Sequence, residues 1–192
     1  MIDVSGYQGA VDWHRVRASG VERAYVKATE GTSFVDGTFH ANVEGARSAG
    51  VTVGAYHFAH PANSPAADLS HFLRTISGHV FPGDLPPCLD LEVTDGHDWT
   101  YLNEWKGHFL GGVDAAIGLY EGGVLYTYYS FWHNLTLYPE RPVWGAAYNN
   151  AFTPPPTWVA WQYSSVGTCP GVTGHVDVSR VLHDFPAVSK PV

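Results

Sequence analysis

The sequence predicts an α/β barrel of eight strands and about five helices, its last strands lacking helical cover. Three observations predict it. Apolar, strand-like runs alternate with helix-like segments through the first two-thirds of the 192 residues, the pattern of βα units joined by right-handed crossovers into a parallel sheet. The last third holds three more strand-like runs with no room for full helices between them. Finally, Asp3, Asp90, Glu92 and Asp177 each sit inside or just past an apolar run. An ionised carboxylate is costly to desolvate there, and a purely structural strand avoids it.

In chain order, residues 1–5 read as the first strand and 12–19 as a short helix opened by Asp12 and closed before Gly20. A strand over 23–28 leads to a helix over 38–49, with Thr38 at its start and Gly50 past its end. The run 52–59 is the third strand, and the helix over 64–76 begins at Ser64 and stops before Gly78. Ser, Thr and Asp satisfy free N–H groups at helix starts, and glycine takes up the left-handed turn at their ends. Residues 87–93 form the fourth strand, 100–117 the longest helix and 124–128 the fifth strand. After a helical turn near 130–135, strands are expected over 142–148, 158–163 and 176–179. Pro154, Pro155 and Pro156 exclude a helix between the first two of these. Residues 1–185 are expected as one domain, with 186–192 a C-terminal tail or the start of a linker.

Composition narrows the function. A formal net charge of −8 with no cluster of Lys and Arg leaves no basic face, so nucleic-acid binding is excluded. No apolar run reaches membrane-spanning length, so no membrane insertion is expected. The chain enters a strand directly after Met1, without a secretory signal. Cys88 and Cys169 are too few for a disulfide framework. Cys88 reads as a small buried hydrophobe, and whether the two are bridged stays open.

The acids carry the chemistry. Asp90 and Glu92 lie two apart in a strand, so both leave one face about 6.5–7 Å apart. Neighbouring like charges push their pKa values apart, so one can hold a proton as general acid while the other stays ionised. Asp3 and Asp177 belong to the first and last strands, which are neighbours in a closed barrel. Strands whose carboxyl ends converge on one mouth bring all four acids to a single cleft. That arrangement points to glycoside hydrolysis. Tyr56, Tyr126, Trp144 and the Trp161-Gln162-Tyr163 segment sit on strands or at their ends, where rings fill the core or stack on sugars. Eleven histidines raise a metal reading in which His57, His60 or His175 joins Asp90. No HxH or HExxH spacing supports it, and no metal or cofactor is expected. Phosphate-loop glycines and a Gly-x-Ser-x-Gly elbow are also absent.

Taken together, these residues resemble glycoside hydrolase family 25, the Chalaropsis-type lysozymes or N-acetylmuramidases. The resemblance runs from Ile2-Asp3-Val4-Ser5 with Gln8-Gly9, through Val26-Lys27-Ala28-Thr29-Glu30-Gly31, Gly54-Ala55-Tyr56-His57-Phe58 and Leu89-Asp90-Leu91-Glu92. It continues in Tyr126-Thr127, Ser130-Phe131-Trp132, Val143-Trp144, Trp161-Gln162-Tyr163 and Val176-Asp177. It implies a distorted TIM-like barrel and cleavage of the β-1,4 bond between N-acetylmuramic acid and N-acetylglucosamine in peptidoglycan, with net retention. By position, Glu92 resembles the general acid, and Asp90, Asp3 and Asp177 its acidic partners. The nucleophile is a carboxylate or the substrate's own acetamido group. Tyr56, Tyr126, Trp144 and Gln162 match substrate-binding positions. Tyr7 departs from the Trp that many relatives carry before the Gln-Gly pair.

The resemblance further implies peptidoglycan glycan strands as the partner, and a monomer acting outside the cell at the wall. Without a signal peptide it fits a phage endolysin released from the host cytoplasm. A separate wall-binding domain beyond Val192 is expected to supply the wall affinity an acidic domain lacks. Two other readings are a metal-dependent polysaccharide deacetylase and a non-catalytic wall-binding module.

Overall fold

The computed structural model describes residues 1–137, 141–149 and 151–192. Its strands are β1 (Ile2–Val4), β2 (Arg23–Glu30), β3 (Phe34–Val35), β4 (Thr52–Phe58), β5 (Cys88–Asp90), β6 (Val124–Tyr128), β7 (Val143–Ala146), β8 (Trp158–Gly167) and β9 (Val176–Val181). Between them lie α1 (Trp13–Ala18), α2 (Phe39–Ser48), α3 (Pro65–Ile76), α4 (Trp99–Ile117) and the single turn α5 (Tyr129–Trp132). The sheet runs β1-β9-β8-β7-β6-β5-β4-β2, and β1 pairs again with β2, so eight strands close into a barrel. The two-residue β3 hangs from the end of β2 as an antiparallel appendix.

Six of the pairings, from β1–β2 round to β7–β8, are parallel. The strand β9 runs antiparallel to both neighbours. That corrects one expectation: Asp177 reaches the mouth from the amino end of its strand, not the carboxyl end. With no helix before β9, the chain has no crossover to return it to the starting end, and it hairpins back instead.

Period-two alternation sorts the side chains. Ile2, Val4, Ala24, Val26, Val53, Ala55, Leu89 and Leu125 belong to the main core cluster shared with the helices. The intervening Tyr25, Cys88, Val124, Tyr126, Trp144 and Ala146 fill the barrel itself. Asp3 and Asp90 share this inward parity, so the same alternation that builds the core turns them to the interior. Beside α5, where helical cover runs out, Val143, Trp158 and Trp161 are covered by Tyr129, Trp132 and Phe152. Bulky rings do there what a helix does elsewhere.

Local signals held unevenly. Asp12 caps α1 by accepting from the Arg15 N–H at 3.1 Å, and Ser64 caps α3 through the Ala67 N–H at 3.2 Å. Thr38 precedes α2 but makes no cap bond. Its hydroxyl instead donates to Asp36 Oδ1 at 2.6 Å and accepts from Asn42. Gly20, Gly50 and Gly78 all have positive φ, as a helix end requires. Replacing Asp12 with Ala is expected to cost about 1 kcal/mol, a fall in Tm of about 2–4 °C by thermal denaturation. Cys88 and Cys169 are both buried free thiols. The 186–192 segment lies docked: Val188 is buried, and Gly78 N–H donates to the Val192 carbonyl at 2.7 Å.

Candidate active site

The mouth of the barrel holds a cavity of about 380 Å³. All four acids, Asp3, Asp90, Glu92 and Asp177, line it, as do Tyr56, Tyr126, Trp144 and Gln162. Each arrives by its own route. Asp3 and Asp177 face each other across the β1–β9 ladder, as directly opposed residues. Asp90 is the last residue of β5, hydrogen-bonded into register with Phe58 and Tyr126. Glu92 lies beyond that strand, which ends three residues earlier than the sequence suggested. Leu91 still bonds back, its N–H donating to the Tyr126 carbonyl at 3.0 Å, and this keeps the extended course that carries Glu92 over the same cleft.

Gln162 is the hub beneath the acids. Only 2% exposed, it donates from Nε2 to Asp3 Oδ1 at 3.1 Å and accepts at Oε1 from the hydroxyls of Tyr126 (2.7 Å) and Tyr148 (2.5 Å). Its carbonyl oxygen thus holds two tyrosines, and one of its two N–H groups holds Asp3. Trp144 is similarly buried, stacked on Tyr25 at 5.0 Å, tilted against Tyr126 at 4.5 Å, and donating from Nε1 to Ser179 at 2.9 Å. It forms the floor of the cleft and not an open platform. Further lining residues that the sequence reading did not select are Tyr128, Tyr148, Lys27, Phe58 and Ser165. Tyr126 and Tyr128 alternate on β6, so a period-two reading of that strand finds Tyr128 at once. Tyr148 shares the face of Trp144 in the strand expected over 142–148, so the same reading reaches it, whereas Ser165 lies beyond the strand expected over 158–163 and gave no such signal.

The electrostatics follow from the crowding. Burial, then the charge of Asp177, hold the Asp3 carboxyl well above its ordinary range against the hydrogen bond from Gln162. Burial and Glu92 do the same to Asp90. Burial raises Glu92, opposed by the neighbouring hydroxyls of Tyr126 and Tyr128, and burial brings Asp177 up to about 6. Tyr128, half-buried and beside Glu92, is pushed up to about 12 and keeps its proton. The acids titrate as a group, with protons shared above the ordinary carboxylate range. Asp90 Oδ1 is buried with no hydrogen-bond partner, an acceptor position that the fold itself leaves unfilled.

The histidines do not join the acids. His57 is fully buried between Thr29 Oγ1 (2.8 Å) and Asp68 Oδ2 (3.2 Å). His60 bridges Glu30 Oε1 (3.2 Å) and Asp95 Oδ2 (3.3 Å). His175 is tied through its carbonyl, which accepts from Gln8 at 3.2 Å. Among the described residues no group of three His, Cys, Asp or Glu is disposed to hold a metal ion, so the mixed His/Asp90 set considered from the sequence does not assemble.

A closed α/β barrel with clustered acids and aromatic walls at one mouth defines the class of carbohydrate-cleft barrels. The profile of glycosyl hydrolases family 25 matches residues 2–172, and the chain belongs to that family. It is 37% identical to Lysozyme M1 of Streptomyces globisporus over 93% of this chain and 66% of that protein. It is 32% identical to the N,O-diacetylmuramidase of Chalaropsis sp over 88% of this chain and 81% of that one. The chain thus spans just under two-thirds of Lysozyme M1. In three dimensions it is similar to the bacterial lysozyme from Streptomyces coelicolor, with a TM-score of 0.84 and 36% identity, covering 94% of this chain and 90% of the other.

Proposed function

We propose that this chain is a peptidoglycan hydrolase, a muramidase that cleaves the β-1,4 bond between N-acetylmuramic acid and N-acetylglucosamine with net retention. The observation that carries this reading is the gathering of four carboxylates round one cavity walled by Tyr56, Tyr126, Tyr128 and Tyr148. The similarity to proteins called lysozyme and N,O-diacetylmuramidase supports the substrate.

In this reading Glu92, its pKa raised by burial, gives its proton to the glycosidic oxygen as the C1–O bond breaks. The unpartnered Oδ1 of Asp90 supports it as the acceptor for the acetamido N–H of the muramic acid ring. The acetamido oxygen then attacks C1 from the opposite face and closes a five-membered oxazolinium ring. Asp90 stabilises the positive charge that develops on it. Water, deprotonated by Glu92, reopens that ring at C1, which returns the original configuration. Asp3, joined to Tyr126 and Tyr148 through Gln162, and Asp177, opposite it across the β1–β9 ladder, set the local potential. The shorter span relative to Lysozyme M1, together with the net charge of −8, supports a separate wall-binding domain in the whole protein, because bacterial walls are themselves anionic.

Mass spectrometry of fragments released from purified peptidoglycan tests the reading. New reducing ends on N-acetylmuramic acid, unaffected by chelator, are expected. New ends on N-acetylglucosamine, or loss of acetyl groups without chain cleavage, would reject it.

A further inference from the structure

Glu92 stands past the end of β5, in the segment 91–98 that leads to α4. At its near end Leu91 is bonded to β6, its N–H to the Tyr126 carbonyl and its own carbonyl to the Thr127 hydroxyl at 2.6 Å. Beyond Glu92 the chain turns through Asp95 and Gly96, with φ of 47° and 84°. That turn is tied down by the Asp95 carboxylate. Its Oδ2 accepts from the Ala62 N–H at 3.2 Å and faces His60 Nδ1 at 3.3 Å.

The opposing segment, 59–64 between β4 and α3, is a fixed support. Asp68 on α3 accepts from the His60 N–H (3.2 Å) and from the Asn63 amide (3.1 Å). The Trp105 indole donates to the Asn63 carbonyl at 2.8 Å, and the Tyr101 hydroxyl to that of Pro61 at 3.1 Å. The His60 ring reaches Glu30 Oε1 with its second nitrogen, at 3.2 Å. Glu30 in turn accepts at 2.6 Å from the ammonium of Lys27, which lines the acid cleft. Lys27, Glu30, His60 and Asp95 form one chain across three segments of the rim.

The charge on the ring completes that chain. A neutral imidazole has one N–H, so it donates to one carboxylate and sets a lone pair against the other. An imidazolium donates to both, and each bond is strengthened by charge. Burial opposes that charge, but the hydrogen bond to Glu30 and the nearby Asp95 outweigh it and raise the His60 pKa. The other ionisable neighbours are Asp68, which meets the His60 backbone, and His57 on β4, whose protonation and that of His60 oppose each other.

We propose that the His60 imidazolium is a positioning residue for the general acid: by clasping Asp95 to Glu30 it holds the 91–98 segment, and with it Glu92, over the bond to be cleaved. The claim rests on the muramidase reading for the role of Glu92. The clasp is complete at low pH and opens as pH rises through the titration of His60.

The test measures kcat and KM on soluble, peptide-free glycan strands from about pH 5 to about pH 8. At the lower pH, His60→Ala is expected to cut kcat about tenfold and to leave KM within about twofold, because a displaced acid slows proton transfer without loosening the substrate. The ratio of wild-type to variant kcat should shrink toward one at the upper pH, where the wild type has lost its clasp as well. Asp95→Gly removes the carboxylate and suits the left-handed backbone. It should cost at least as much, and adding His60→Ala to it should cost less than about twofold more. An unchanged kcat at low pH, a ratio that stays constant with pH, a loss confined to KM, or full multiplication of the two losses overturns the clasp. If the wild type releases no reducing ends, the muramidase reading fails instead, and hydrogen exchange decides the clasp. Slower exchange of the 91–98 amides in the wild type than in His60→Ala at low pH supports it, and equal exchange rejects it.

Discussion

Glu92→Gln is expected to lower the release of reducing ends from purified peptidoglycan by about 10²–10⁴-fold with the fold intact. Glutamine has the same shape, and its carbonyl oxygen can accept from the Tyr128 hydroxyl as the carboxylate does. What it lacks is a proton to give to the leaving oxygen. The raised pKa of Glu92 also fixes the sign of the pH dependence. The proton is present at low pH and lost as pH rises through that pKa, so activity falls on the alkaline side. Circular dichroism and Tm should match the wild type or exceed it, because one member of a like-charged group has gone. A variant keeping more than about a tenth of wild-type activity would remove Glu92 from the acid's role.

Much of this cleft was legible in the sequence, for a physical reason. Apolar alternation fixes which residues of a strand face inward, and Asp3 and Asp90 interrupt that alternation at inward positions. The parallel first two-thirds was equally readable, because α2, α3 and α4 are long and bounded by glycines at positive φ. What failed had non-local causes. The direction of β9 depends on pairing with β1 and β8, and nothing within 176–181 specifies it. The early end of β5 depends on where its neighbours stop. Thr38 has the right residue type for a cap, yet Asp36, two residues earlier, captures its hydroxyl and its N–H. Gln162 matched a substrate-binding position, and only the folded chain shows that it also holds Asp3, Tyr126 and Tyr148.

The same crowding that suits the cleft to proton transfer predicts a cost in stability at neutral pH. Asp3 and Asp177 are opposed across one ladder, and both ionise above the ordinary carboxylate value of 3.8, Asp177 near 6. A carboxyl whose pKa is raised on folding contributes stability fully present below 3.8 and lost as pH rises through its folded value. Between pH 4.5 and 8 the wild type should therefore lose stability relative to an Asp3→Asn/Asp177→Asn double variant, in which neither position can ionise. Asp177 alone, near 6 and partly screened by solvent, gives a relative loss of about 1 kcal/mol, or about 2–4 °C in Tm for a chain of this size, and the buried Asp3 adds to it in the same direction. Asp90 and Glu92, which the charges of Asp3 and Asp177 help to raise, relax in the double variant and widen the gap in the same direction. His57, lowered by burial, and His60, raised by Glu30 and Asp95 against its own burial, are common to both proteins. Scanning calorimetry of the pair at the two pH values gives the answer directly. The two Tm values should lie close together at pH 4.5, with the double variant clearly higher at pH 8. A gap that stays constant across the range would mean that the two acids are not held against their charge.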